Sequence, residues 1–302
     1  MGDLSRQGPP PTHADATTGD VNPQRSTTAE GDEHPLRVRS PDGTEIACWQ
    51  TGDGPPLVLV HGAPADHTRW RPVLPYLEPH FTVYTLDRRG RGASTDSPDY
   101  TLEREFEDVA AVVDDVAASN ASTVTVYGHS FGGNVAFGAA TMTSNIDRLV
   151  LYEGWPIPDP SVWALPADLE ARMNALLAEG DRDAVVELLF RELEDLSDED
   201  IAAFKTAPSW LGRVAAAPTI TREIRGLMTS RLDVEIARTI IVPVLLVIGE
   251  HSVDLAQPHA AAVAEVLPKA RVLVLEDQEH VADVLDPASF TQRVLPFLKG
   301  DS

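Results

Sequence analysis

A serine flanked by glycines follows a short apolar run near the middle of the chain. The run spans residues 124–127, and the pattern Gly128-x-Ser130-x-Gly132 comes directly after it. Its β-branched and aromatic residues predict a buried strand, and an alanine-rich helical pattern follows the serine. A serine between such a strand and helix lies on a tight, strained turn, where glycines leave room for the helix. We therefore predict that Ser130 is a nucleophile.

A serine hydroxyl attacks a carbonyl group only when a base accepts its proton and a carboxylate orients that base. His280 is the candidate base, because it lies between the last predicted strand and the last predicted helix. Three carboxylates follow predicted strands and are candidates for the acid, namely Glu153, Glu250 and Asp254. The residues alone leave the choice among these three open.

The elements that must position these side chains alternate along the chain. We predict strands at 36–39, 45–50, 57–60, 81–86, 124–127, 147–152, 241–248 and 271–275. We predict helices at 101–118, 131–142, 256–267 and 287–298. Several strands are apolar on every residue, as strands covered on both faces must be. The alternation predicts an α/β fold with a doubly wound, mostly parallel sheet.

A long helical pattern interrupts this alternation at about 156–238. Ser197-x-x-Asp200 within it is typical of a helix N-terminus. We predict a helical cap inserted into the α/β domain. Residues 1–34 are rich in Pro, Thr, Gly and Asp and hold almost no large apolar side chain. They predict a disordered acidic tail, which leaves 35–302 as the folded domain.

Charge and cysteine content restrict the partners. The net charge is −23, with three lysines among 24 basic residues, so we expect binding neither to nucleic acid nor to anionic membranes. Two alternatives would explain this composition, either adaptation to high salt or a GC-rich genome that encodes arginine in place of lysine. Cys48 is the only cysteine, which excludes an intrachain disulfide and a cysteine-based metal site. With no secretory signal and no apolar membrane span, we predict a soluble cytoplasmic protein.

Four motifs, taken together in chain order, resemble those of the α/β-hydrolases. They are His61-Gly62-Ala63-Pro64, the loop Asp87-Arg88-Arg89-Gly90, Gly128-His129-Ser130-Phe131-Gly132, and the late histidine His280. The resemblance covers about residues 35–302 and implies the α/β-hydrolase fold with a helical cap. It also implies that His280 is the base, and that the backbone N–H groups of Ala63 and Phe131 form the oxyanion hole.

The resemblance is less direct for the acid. Most α/β-hydrolases carry an aspartate where this chain has Ser252, and a serine cannot stabilise an imidazolium ion. Zearalenone-type lactonases and certain haloalkane dehalogenases place the acid where this chain has Glu153. Similarity to that group implies a triad of Ser130, His280 and Glu153, with Asp254 or Glu250 as the alternative acid.

Other residues have two interpretations each. Trp155, Trp163, Trp210 and Met228 could line an acyl pocket or simply form the cap's own core. His61 could join that pocket or bond its own loop as a structural histidine. The Asp-Arg-Arg-Gly loop is basic and glycine-rich but lacks the Walker spacing, so we interpret it as structural.

The resemblance implies a serine hydrolase that cleaves a small-molecule carboxylic ester or lactone through an acyl-enzyme, with no metal or organic cofactor. Aspartate replaces the serine in haloalkane dehalogenases and epoxide hydrolases, which argues against both. Carbon–carbon bond hydrolysis, thioester hydrolysis and cofactor-free perhydrolysis stay open. A non-catalytic binding module also stays open, since Ser252 could mark a decayed triad. The oligomeric state is not indicated.

Overall fold

The computed structural model describes residues 35–158, 165–193, 196–252 and 256–301. The predicted tail at 1–34 lies outside these ranges, as do two predicted site residues, Trp163 and Asp254.

The strands of the described residues form one eight-stranded sheet, in the order β1-β2-β4-β3-β5-β6-β7-β8. Their bounds are β1 Leu36–Arg39, β2 Glu45–Gly52, β3 Pro56–Val60, β4 Thr82–Leu86, β5 Val124–His129, β6 Ile146–Tyr152, β7 Val244–Gly249 and β8 Ala270–Leu275. The pairs β1–β2 and β2–β4 are antiparallel, and all other neighbouring pairs are parallel. The predicted α/β class with a mostly parallel sheet is confirmed.

Helices cover both faces of this sheet. Their bounds are α1 Leu74–Leu77, α2 Leu102–Asn120, α3 Phe131–Ala139, α4 Leu169–Glu179, α5 Arg182–Leu193, α6 Asp198–Thr206, α7 Trp210–Thr229, α8 Val234–Ala237, α9 Ala256–Val266, α10 Ala282–Leu285 and α11 Pro287–Lys299. A short 3₁₀ helix at His67–Trp70 precedes α1. None of the helices among the described residues has the length and apolarity needed to cross a membrane.

The core has one apolar layer on each side of the sheet, and β3 shows why. Val58 and Val60 belong to the apolar layer that includes side chains of α2, α3 and α9, whereas Leu57 and Leu59 belong to the opposite layer, which includes side chains of α1 and α11. Successive residues of a strand point to opposite faces, so a strand covered on both sides must be apolar throughout. The continuous apolar run at this strand therefore follows from its central position.

The segment between β6 and β7 contains α4 to α8 and has an apolar core of its own. At the start of α6, the Ser197 hydroxyl accepts a hydrogen bond from the Asp200 N–H, and the Asp200 carboxylate accepts one from the Ser197 N–H. This is the reciprocal cap that the sequence predicted for this position.

Strand β7 begins later in the structure than the sequence predicted. The apolar run predicted a strand from residue 241, but Ile241 is 66% exposed and the strand begins at Val244. Pro243 lies immediately before it and has no N–H to donate to a neighbouring strand, so pairing starts at the next residue.

Candidate active site

Ser130 lies between β5 and α3 with backbone angles φ 54° and ψ −130°, a conformation that non-glycine residues rarely adopt. The glycines around it are required by close packing. A Cβ atom at Gly132 would come within 2.3 Å of the Val60 carbonyl oxygen, and one at Gly154 within 1.8 Å of the Ser130 carbonyl oxygen. The Ser130 N–H donates to the Tyr152 carbonyl at 2.8 Å, which fixes the turn against the end of β6.

The predicted base and one predicted acid are in direct contact. Glu153 follows β6, with its backbone at φ 45°, and its Oε2 lies 2.7 Å from His280 Nδ1. Its other oxygen, Oε1, accepts hydrogen bonds from the Gly249 N–H at 2.7 Å and from the Ser252 hydroxyl at 2.5 Å. Only 6% of the Glu153 side chain is exposed, against 25% for His280.

The environment of Glu153 favours its charged form. Burial alone would raise the pKa of this carboxyl group. The hydrogen bond and charge interaction with His280, together with the donors from Ser252 and Gly249, outweigh burial and lower the pKa below its ordinary value. Glu153 is therefore a carboxylate near neutral pH and is placed to stabilise a protonated His280.

Two buried side chains hold the loop that carries His280, which lies between β8 and α10. His129, the residue before Ser130, approaches the His280 carbonyl oxygen through Nε2 at 2.7 Å, and the two rings lie 4.6 Å apart. The Tyr152 hydroxyl donates to the Glu279 carbonyl and accepts from the Ala282 N–H at 3.1 Å. Sequence reasoning assigned no role to His129 or Tyr152, because their contacts join strands distant in the chain.

The sheet order explains how these groups meet. β5, β6, β7 and β8 are consecutive neighbours in the sheet, and all run parallel. Their carboxyl ends lead respectively to Ser130, Glu153, Ser252 and His280. Ligand sites of open α/β sheets lie at this edge, so the topology itself brings the four side chains to one place.

The predicted oxyanion donors lie on two segments next to Ser130. Phe131 is the first residue of α3, so its N–H has no acceptor within the helix. The loop that contains Ala63 passes close by, since a Cβ atom at Gly62 would lie 2.8 Å from the Ser130 Cβ atom. The assignment of the two N–H groups to an oxyanion hole stays a prediction.

His61 is a structural histidine, and its assignment to the substrate pocket is corrected. Its ring is fully buried, its Nδ1 lies 2.8 Å from the Gly62 carbonyl oxygen, and its Nε2 accepts from the Arg88 N–H at 3.2 Å. Burial, followed by the nearby charges of Arg88 and Arg91, lowers the pKa of His61 well below its ordinary value. The neutral ring therefore joins two loops and offers no surface to a substrate.

The other predicted pocket residues have different positions. Trp210 belongs to the core of the helical segment, where its indole N–H donates to Asp183 at 2.8 Å. Trp155 is 8% exposed and packs in the main core. Neither placement supports a pocket role, because both rings are taken up by core packing. Met228 lies half-buried on α7.

Glu250, one alternative acid, is exposed, and its carboxylate accepts from the Asp277 N–H at 3.0 Å. It therefore bonds the loop that precedes His280.

Within the described ranges, Glu250, His251 and Asp277 form a group whose ligand atoms lie within 4.8 Å of one another. All three are exposed, and we assign them no metal.

The Asp-Arg-Arg-Gly loop forms a buried ion-pair network. Arg88 donates to Glu105 at 2.8 Å and to Glu223, on α7, at 3.0 Å, and Arg91 also donates to Glu223. The Arg88 guanidinium lies 4.6 Å from the centre of the Phe131 ring. The loop thus connects the helical segment to Phe131, the residue beside Ser130, which supports its structural interpretation.

The comparisons with known proteins identify the family and agree with the fold. The sequence profile of the alpha/beta hydrolase family matches residues 57–293, and the chain belongs to this family. A solved alpha/beta hydrolase from Sphaerobacter thermophilus DSM 20745 is 35% identical, with a TM-score of 0.72, over 83% of this chain and 97% of that one. The esterase EaEST from Exiguobacterium antarcticum shares the fold, with 21% identity and a TM-score of 0.71 over 88% of this chain and all of that one.

A relative from Pseudomonas savastanoi pv. phaseolicola, provisionally named carbamate hydrolase RutD, is 26% identical over 271 residues. The match covers 85% of this chain and 99% of that protein. The similarity therefore extends over both the α/β domain and the helical segment, rather than over the serine motif alone.

Proposed function

We propose that this chain is a serine hydrolase that cleaves a carboxylic ester or lactone through an acyl-enzyme. Ser130 is the nucleophile, His280 the base and Glu153 the acid. The observation that carries the proposal is the 2.7 Å contact between Glu153 Oε2 and His280 Nδ1. A buried carboxylate with a lowered pKa at that distance fixes the imidazole tautomer and stabilises its protonated form.

The contact also fixes the direction of proton transfer. Because Nδ1–H donates to Glu153, the basic nitrogen of neutral His280 is Nε2. In the proposed mechanism, Nε2 accepts the proton of the Ser130 hydroxyl while Oγ attacks the carbonyl carbon. The N–H groups of Ala63 and Phe131 stabilise the oxyanion that results.

Collapse of the tetrahedral intermediate breaks the bond to the leaving alkoxide, which takes the proton from His280 and forms an alcohol. In a lactone this alcohol stays attached to the acyl group. His280 then removes a proton from water, and the hydroxide formed attacks the acyl-enzyme. The second tetrahedral intermediate releases the carboxylic acid and returns the proton to Ser130, so no cofactor is consumed.

The RutD relative is the observation that favours a second candidate, cleavage of a carbamate at its carbonyl group by the same triad. A carbamate differs from an ester or lactone in its leaving group, so hydrolysis rates on a panel of substrates separate the two candidate functions. Thioesters, carbon–carbon bonds and peroxide-dependent acyl transfer use the same nucleophile and belong in that panel.

The test combines a covalent probe with turnover. A fluorophosphonate should label the native chain at Ser130, and a short p-nitrophenyl ester or an aromatic lactone should be hydrolysed. The Ser130→Ala variant should lose both properties. Ser122→Ala is the matched control, because Ser122 is an exposed serine that precedes β5. A native chain that takes no label would favour a binding module over an enzyme.

A further inference from the structure

The carboxylate of Glu153 is held at three points. Ser252 Oγ–H and Gly249 N–H both donate to Oε1, at 2.5 and 2.7 Å, while Oε2 faces His280 Nδ1 at 2.7 Å. The last torsion of a glutamate side chain has no sharp intrinsic preference. The two donors on Oε1 therefore decide which way the plane of the carboxylate turns.

Water is poorly placed to replace these donors. Glu153 is 6% exposed, and a buried carboxylate needs hydrogen bonds from the protein to stay charged. The Gly249 N–H belongs to the end of β7 and is fixed by the sheet. Ser252 lies three residues further on, and among the described residues its hydroxyl is the only side-chain hydroxyl hydrogen-bonded to Glu153.

We propose that Ser252 is a positioning residue of this active site. Its hydroxyl holds Oε1 so that Oε2 stays on His280, which keeps the imidazole oriented towards Ser130. Serine at this place is therefore a working part of a triad whose acid comes from β6, and the site has not decayed. The inference rests on the proposed function, because it presumes that Glu153 is the acid.

The chemistry required at position 252 is specific. A hydroxyl donates to a carboxylate and adds no charge, so it supports an ionised Glu153. Threonine keeps the hydroxyl, whereas valine has nearly the shape of threonine without it. The pair Ser252→Thr and Ser252→Val thus separates the hydrogen bond from the volume of the side chain.

The experiment is the rate at which a fluorophosphonate labels Ser130, which needs no knowledge of the natural substrate. In Ser252→Val we expect the limiting labelling rate to fall about tenfold or more, because small losses of catalytic orientation are costly. The concentration for half-maximal rate should stay unchanged, since Ser252 acts through Glu153. Ser252→Thr should stay within about threefold of native.

A spectroscopic readout separates positioning from a general loss of stability. The Nδ1–H proton of His280, held by Glu153, should give a low-field ¹H NMR signal in the native chain and in Ser252→Thr. The signal should be lost or shifted upfield in Ser252→Val. Ser197→Ala is the control, because it removes a serine hydroxyl from the cap of α6 and should leave rate and signal unchanged.

The outcomes distinguish the two proposals. A native labelling rate and a native signal in Ser252→Val, alongside an inactive Glu153→Gln, would overturn the role of Ser252 alone. A labelled Glu153→Gln with native rate would overturn the proposed triad, and this inference with it. Equal losses in Ser252→Thr and Ser252→Val would also overturn the role, because volume rather than the hydroxyl would then matter.

Discussion

His129 Nε2 lies 2.7 Å from the carbonyl oxygen of His280. Since a carbonyl oxygen only accepts, Nε2 carries the proton. Burial, followed by the charges of Arg69 and His280, keeps the pKa of His129 well below its ordinary value, so the ring is neutral. The residue next to Ser130 therefore donates to the backbone of His280, and this bond couples the two loops.

Replacing His129 should loosen that coupling. In His129→Leu the His280 carbonyl loses this donor, at a cost of about 1 kcal/mol in the free energy of unfolding. We expect turnover to fall about tenfold as His280 loses its fixed place. His129→Gln keeps an N–H donor, so it should retain more of the stability and more of the turnover than His129→Leu. Urea unfolding and ester hydrolysis check this, and native turnover in His129→Leu would contradict it.

Among the charged residues of α7, neutralising Glu223 should cause the largest loss in the free energy of unfolding. It is buried, and burial alone would raise the pKa of its carboxyl group, but Arg88 and Arg91 lower it. Glu223→Gln leaves both guanidinium groups with less compensation, and we expect a loss of about 3–5 kcal/mol in the free energy of unfolding.

Asp96→Asn is the matched control for Glu223→Gln. Asp96 is a partly exposed ion-pair partner of Arg222, which lies on α7 beside Glu223. Asp96→Asn should therefore lower the free energy of unfolding by less than about 1 kcal/mol. Denaturant unfolding of both variants gives the comparison. Equal losses in the two would contradict a dominant role for the buried network.

Acid should remove a stabilising contribution from Glu153. The pKa of this group is lowered from its ordinary 4.5 on folding. Its contribution to stability is therefore fully present above about pH 4.5 and is lost as the pH falls through the lower folded pKa. The difference in unfolding free energy between native protein and Glu153→Gln should therefore change as the pH falls below about 4.5. A difference independent of pH down to acid unfolding would contradict this.

Cys48 should be inert in the folded chain. Burial raises the pKa of its thiol well above the ordinary value, and the charges of Asp87 and Asp115 add to the effect. Alkylating reagents attack the thiolate, so iodoacetamide should neither modify native Cys48 nor reduce hydrolysis. Mass spectrometry should find full alkylation once the chain is unfolded in urea. Fast modification of the native chain would contradict the buried placement.

The sequence predicted those features that depend on local pattern. Ser130 was predictable because a strand, two glycines and a helix surround it. The position of Glu153 was predictable as a strand end, since an apolar run stops immediately before it. The order of strands then places Ser130, Glu153 and His280 at one edge of the sheet.

Contacts between distant segments were not predictable in the same way. Ser252 donates to a carboxylate 99 residues away, and no local pattern indicates that bond. His61 and Trp210 could not be assigned from residue type, because a histidine or tryptophan suits a pocket and a core equally well. In the folded chain His61 accepts from the Arg88 N–H and Trp210 donates to Asp183, and no local pattern indicates either partner.

The most direct test of the triad is hydrolysis of a short p-nitrophenyl ester by native protein and by Glu153→Gln. The variant keeps the shape of the side chain and removes its charge. We expect turnover to fall by about 10³–10⁴, as it does when a triad acid becomes its amide, with little change in the Michaelis constant. An active native enzyme whose Glu153→Gln variant turns over at a near-native rate would contradict the assignment of Glu153 as the triad acid.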